Sequence, residues 1–356
     1  MKNFLRAISL LMALVMLLSC FAGCKKKENF EKVETTSEEE STTVKKTPTN
    51  LNPLTGEELP EEAIGKRVIA IMVENSPAAR PQWGLSTPDL VIEGLVEGGI
   101  TRMMWLYADY SKIPKIGPIR SARHDYVEIA AGMNAIFTHW GGSPQAYELI
   151  NKLSYDDIDG MKYGNKYFFK DTSRTTATEH RGYSNSEYLS GAIETSKIET
   201  EQTKEDWAPF TVLQKDRVPF GDASESGDCN SITLVFSSGY KHTFKYNNED
   251  GLYYNYMNAS EMKDGNNDET MAVKNVIVMY CATTTLDAKG RQDWDMTSGT
   301  GLFISNGKGE KITWEKGDET TALKFYGQDG NLLTINKGQS WLGIVPAANS
   351  GLTTVE

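Results

Sequence analysis

The sequence predicts an α/β N-terminal domain, with a mixed or mostly parallel sheet and flanking helices, followed by a mainly antiparallel β C-terminal domain. Three observations carry this expectation. Short unbroken apolar runs alternate with helix-start signals over residues 51–203. Over residues 229–356, short β-branched and aromatic segments are separated by turn pairs such as Asp250-Gly251, Asn306-Gly307, Lys316-Gly317 and Asp329-Gly330. Between them, residues 204–228 are mixed and charged, contain Pro209 and Pro219, and read as a linker.

Residues 1–24 read as an export signal. Lys2 and Arg6 flank an apolar run over residues 7–18, far shorter than the roughly 20 residues that span a bilayer. Ala22-Gly23-Cys24 has the form of a bacterial lipobox, which makes Cys24 the expected lipidation site. Cys20 is a second choice, because leucine fits the middle lipobox position poorly. Residues 25–50 are mostly Lys, Glu, Thr and Ser, with Phe30 the single aromatic, and read as a flexible polar tether. The expected location is the extracytoplasmic face of a bacterial cell membrane, held by a lipid anchor.

In the α/β region, strands are expected over residues 68–73, 90–92, 103–107 and 135–138, the last ending at His139. Ser121 is expected to cap a helix over residues 122–131. Ser143 as N-cap with Pro144 at the first helical position predicts a second helix to about Leu153. In the C-terminal half, strands are expected over residues 232–236, 242–246, 252–256, 273–279, 301–304, 311–314, 323–326 and 332–335, forming a sandwich or partly closed barrel.

A formal net charge of -11 and the lack of a long basic stripe argue against nucleic acid as a partner. Cys229 and Cys281 either pair or stay as buried thiols. Neither has a Cys or His at metal-ligand spacing. No cofactor or metal is expected, and the sequence specifies no protein partner.

Two segments share one form, an apolar run, then glycine, then serine opening a helix: Ile116-Gly117-Pro118-Ile119-Arg120-Ser121-Ala122-Arg123-His124 and His139-Trp140-Gly141-Gly142-Ser143-Pro144. Helix N-termini leave backbone N–H groups unpaired and attract anions. Ser121, Gly141, Gly142 and Ser143, with Arg120 and Arg123 beside them, are therefore candidates for holding an anionic cell-wall or lipid-linked group. If the strands are parallel neighbours, both helix starts lie at one sheet edge. Competing readings place Arg123 in a salt bridge to Glu128 or another carboxylate, His124 in solvent and His139 in the core.

A third segment adds Asp171, Arg174 and His180. A histidine exchanges protons near neutral pH and an aspartate can orient it, so His139, His180 and Asp171 are the catalytic candidates should the ligand be transformed. Glu93 and Arg102 flank the Gly98-Gly99 break and complete the candidate ligand set. No nucleophile elbow, metal-ligand motif or dinucleotide fingerprint is present. Binding of an anionic envelope component is therefore favoured, with an enzyme of phosphorylated wall or lipid-linked substrates and a protein–protein scaffold as alternatives.

Further motifs carry a resemblance. They are Ala70-Ile71-Met72-Val73-Glu74-Asn75, Asp89-Leu90-Val91-Ile92-Glu93-Gly94, Glu97-Gly98-Gly99-Ile100-Thr101-Arg102, the two glycine–serine segments, Lys274-Asn275-Val276-Ile277-Val278 and Gly338-Gln339-Ser340-Trp341-Leu342. In this order they resemble the YerB family of bacterial lipoproteins, over nearly the whole exported chain. The resemblance implies two domains and an envelope location, and no assigned activity. Near His180 the family pattern is Pro-His-Asn-Leu-Tyr, whereas this chain reads Glu179-His180-Arg181-Gly182-Tyr183. That departure sets His180 apart from Arg120 and Arg123.

Overall fold

A sheet of twelve strands runs through both halves of the chain. It is seen in a computed structural model that describes residues 50–214 and 227–356. The signal, Cys24 and nearly all of the tether lie outside the described residues, as does part of the linker.

The N-terminal region supplies β1 (Ile69–Glu74), β2 (Leu90–Leu95), β3 (Thr101–Tyr107), β4 (Ile136–His139) and β5 (Asp157–Asp159). Its three longer helices are α1 (His124–Gly132), α2 (Pro144–Leu153) and α3 (Ser186–Ser196). The C-terminal region supplies β6 (Ser231–Ser237), β7 (Tyr240–Asn247), β8 (Leu252–Met257), β9 (Asn275–Thr285) and β10 (Gln292–Asp295). After these come β11 (Ser298–Ser305), β12 (Lys308–Glu315), β13 (Lys324–Tyr326) and β14 (Ser340–Pro346).

The order across the large sheet is β13-β12-β11-β9-β14-β2-β3-β1-β4-β5, with β10 paired to β9 and the short strand Gly227–Asp228 paired to β12. β1 is parallel to β4 and β4 to β5, while β3 runs antiparallel to both β1 and β2. The sheet is thus mixed in the N-terminal region and mostly antiparallel beyond it. β14 is the exception, lying parallel to β2 on one side and to β9 on the other.

Alternate residues of the strands face opposite cores, as a two-residue side-chain period requires. Ala70 and Met72 pack with Tyr126 and Val127 of α1 and with Leu149 and Ile150 of α2. Ile69, Ile71 and Val73 pack toward Leu189 and Ile193 of α3 and toward Leu234, Phe236 and Phe244 of a second, six-stranded sheet built on β6, β7 and β8. Strands buried on both faces explain the unbroken apolar run at residues 68–73.

The C-terminal strands therefore divide between two sheets. The expected strand at 273–279 extends to Thr285, while 332–335 contributes only the short strand Thr334–Ile335, paired with Thr211–Val212. Cys229 and Cys281 are both buried and unpaired. Burial pushes each thiol up to about 12. Among the described residues no helix is long and apolar enough to cross a membrane.

Candidate functional site

The parallel strands β1, β4 and β5 end together, at Glu74, His139 and Asp159, and the two glycine–serine segments emerge at that edge. The first runs beside β1: the Glu74 amide donates to the Pro118 carbonyl and the Arg120 amide to that of Met72, each at 2.9 Å. It then pairs with the second. Trp140 N donates to Arg120 O (3.1 Å), Ala122 N to Gly141 O (2.8 Å) and Ser143 N to Ala122 O (3.1 Å).

This pairing corrects the expected helix start. α1 begins at His124, with Arg123 at its N-cap position and no side-chain cap. Ser121 instead donates its hydroxyl to the Trp140 carbonyl at 3.2 Å. A segment zipped to its neighbour by backbone hydrogen bonds is not free to coil, which delays the helix. Ser143 does cap α2, accepting from the Ala146 amide at 3.1 Å, and Pro144 sits at the first turn. The Gly141 amide donates to Asp159 Oδ1 at 2.8 Å. The Gly141 and Ser143 amides, expected to face an anion, are therefore already paired.

Side chains, rather than amides, bring two cations, Arg120 and Lys170, to this edge. A cleft of about 510 Å³ is lined by Arg120, Ser121, Trp140, Tyr147 and Lys170, with the acidic Glu179 among its walls. Trp140 is held by close backbone approach, since a Cβ at Gly160 or Gly182 would stand 2.6 Å from its ring. The Lys170 ammonium lies 3.7 Å from the Trp140 ring centroid and donates to the Thr178 carbonyl at 3.2 Å. Burial lowers its pKa, and the nearby charges of Arg120 and Arg181 lower it further. Arg120 places Nε 3.6 Å from Glu74 Oε1 and donates to the Glu179 carbonyl at 3.4 Å. Buried Glu74 also accepts from Ser76 Oγ and His180 Nδ1, both at 2.8 Å.

The remaining candidates lie elsewhere or are committed to internal contacts. Arg123 grips Glu97 with two donors, one at 2.9 Å to Oε2 and one to Oε1. Arg102 is buried, donates to the Ser121 carbonyl at 2.7 Å and lies 3.5 Å from Glu97. Burial, then the charge of Arg123, pushes its pKa down to about 9. Burial would raise the Glu97 carboxyl, but the Arg123 hydrogen bond and the charges of Arg102 and Arg123 prevail and hold it at about 2.

His139 has no exposed side-chain surface and sits between the Gly141 carbonyl (2.8 Å) and Asp157 (3.0 Å). Asp171 accepts from Lys115 at 2.5 Å and from the Ser173 amide and hydroxyl. Arg174 donates to the carbonyls of Ala78, Arg80 and Pro81 and to the Tyr183 hydroxyl, with its guanidinium 4.9 Å from the Trp83 ring. Glu93 is fully buried against His242. Of the named set, then, Arg120, Ser121, Gly141 and Gly142 meet in the cleft, with His180 behind it on Glu74. Lys170 and Tyr147 were not singled out, although Lys170 belongs to the third segment and Trp140 to the second.

Comparison with known proteins agrees with this architecture. Residues 54–199 match the family model described as "Protein of unknown function (DUF3048) N-terminal domain", and residues 232–342 match its C-terminal domain counterpart. "Putative lipoprotein YerB" of Bacillus subtilis (strain 168) is 28% identical over 300 residues, covering 83% of this chain and 86% of its own length. The crystal structure of YerB protein from Bacillus subtilis superposes with a TM-score of 0.73 at 24% identity, over 86% of this chain and 99% of that one, which establishes a shared fold. With both of its domains matched in order, this chain belongs to the YerB-like family.

Proposed function

We propose that this chain is an envelope lipoprotein, anchored through Cys24, that holds an anionic envelope component in the cleft between Arg120, Trp140 and Lys170. The approach of two cations, Arg120 and Lys170, to one cleft carries the reading. Arg120 and Lys170 line one cleft, and burial, then the charges of Arg120 and Arg181, disfavour the charged form of Lys170 against the opposing pull of Glu179. A phosphate or carboxylate between Arg120 and Lys170 would relieve that repulsion and accept forked donors. The polar tether and lipid would keep the cleft close to membrane or wall ligands.

A second reading, an enzyme of phosphorylated substrates, draws on His180. Its Nδ1 is oriented by buried Glu74, the arrangement by which a carboxylate positions a general base.

The test is a thermal-shift titration of the fragment beginning at Asn50, whose residues lie within a single compact unit, against glycerol phosphate and teichoic-acid fragments. The reading expects stabilisation by these anions and its loss in the double variant Arg120→Ala/Lys170→Ala. An unchanged response in that variant would overturn it. Release of inorganic phosphate that His180→Ala abolishes, while binding survives, would favour the second reading.

A further inference from the structure

We propose that His124, Asp125 and Asp293 form a site for one divalent transition-metal ion, which ties the start of α1 to β10. One ligand atom from each residue lies within 4.8 Å of the other two. His124 Nε2 stands 2.8 Å from Asp293 Oδ1 and 3.5 Å from Asp125 Oδ1. Metal–ligand bonds of about 2.0–2.2 Å set neighbouring ligand atoms roughly 3–3.5 Å apart. A slight opening of the His124–Asp293 contact therefore admits an ion.

The charge balance at this point is independent of that geometry. Asp125 is 3% exposed. Among the described residues, no lysine or arginine pairs with it or with Asp293; His124 is the sole partner in ion-pair range. The Trp294 amide fixes one Asp125 oxygen at 2.8 Å, the kind of outer contact that orients a metal-bound carboxylate. A buried carboxylate facing a second carboxylate, with a histidine between them, has an excess of negative potential that a dication would neutralise.

The donor set selects the ion. One imidazole and two carboxylates suit Zn²⁺, Mn²⁺, Fe²⁺ or Co²⁺, with water completing the coordination. Three donors are too few for a calcium site, which takes six to eight oxygens. Asp293, with 46% of its side chain exposed, leaves a path from solvent.

The test uses the full chain, untagged, in detergent, stripped with chelator and dialysed. Calorimetric titration with ZnCl₂, MnCl₂ and CoCl₂ should show one ion bound per chain for at least one metal, with a matching rise in Tm. His124→Gln and Asp293→Asn should each weaken that binding at least tenfold and remove any cobalt absorption band, with far-UV circular dichroism unchanged. Should His124→Gln fail to fold, the half-exposed Asp293→Asn variant decides alone. Absence of one-to-one binding by all three ions, or unaltered affinity in the folded variants, would overturn the proposal.

Discussion

The Glu93 carboxylate and the His242 imidazole lie 3.1 Å apart, and neither side chain has exposed surface. One is on β2 and the other on β7, so this contact joins the large sheet to the second one across their common core. Asn75 and Thr101 donate to Glu93 Oε1 at 2.9 and 2.5 Å, and Asn255 Oδ1 lies 2.8 Å from His242 Nδ1. Glu93 Oε2 has no partner among the described residues, and His242 Nε2 faces Glu93 without hydrogen-bond alignment. Removing one member leaves the other buried and uncompensated. Glu93→Gln or His242→Ala should therefore lower unfolding free energy by ~3–5 kcal/mol, read by urea denaturation. A loss below ~1 kcal/mol would place the pair among contacts of surface strength.

Two buried acids give stability a pH slope of opposite sign to a salt bridge. Burial raises Asp89 to about 6 and Asp125 to about 7, each from an ordinary 3.8. The folded state holds these protons more tightly, so their contribution is fully present below pH 3.8 and is lost as pH rises to about 7. Glu97, held at about 2 against an ordinary 4.5, contributes above pH 4.5 and loses that contribution as pH falls toward 2. In chelator, the urea midpoint should fall between pH 5 and 8. Asp125→Asn should flatten that fall, and an unchanged slope in this variant would contradict the assignment.

Arg120 and Arg123 are three residues apart, yet their variants should behave differently. Arg123→Ala breaks the two-donor grip on Glu97 and should cost ~2 kcal/mol, the scale of hydrogen bonds to charged groups, while leaving anion binding intact. Arg120→Ala should weaken anion binding with little change in stability. Parallel chemical denaturation and thermal-shift titration separate the two.

Arg174 holds three carbonyls of the segment between β1 and β2. Arg174→Ala should raise amide hydrogen exchange over residues 76–82 at least tenfold and leave α1 and α2 unaffected. Protection unchanged in that segment would show that the clamp is dispensable.

Local chemistry was the legible part of this chain. The Ser143-Pro144 start of α2 and the strands of the N-terminal region follow from neighbouring residues alone, and both agree with the structure. Pairings between distant segments were not legible. No strand was expected at residues 340–346, although Trp341-Leu342-Gly343-Ile344-Val345 is apolar, because nothing local says that β14 lies between β2 and β9. The same blindness hid Glu97 as the partner of Arg123 and His242 as that of Glu93, separated by 26 and 149 positions respectively. In the cleft, Arg120, Gly141 and Gly142 were visible as turn chemistry. Lys170 was not, because its role depends on a ring that tertiary packing brings beneath it.

The placement of β14 has a consequence for biogenesis. A chain is synthesised from its N-terminus, yet β2 and β9 both await a parallel neighbour formed by residues 340–346. Until those residues emerge, two sheet edges stay open, each able to pair with a stray strand. The interval between emergence of β2 and arrival of β14 is thus a window of vulnerability to proteases and to aggregation. A chain cut short before Ser340 should be cleared rather than accumulate as a half-built molecule.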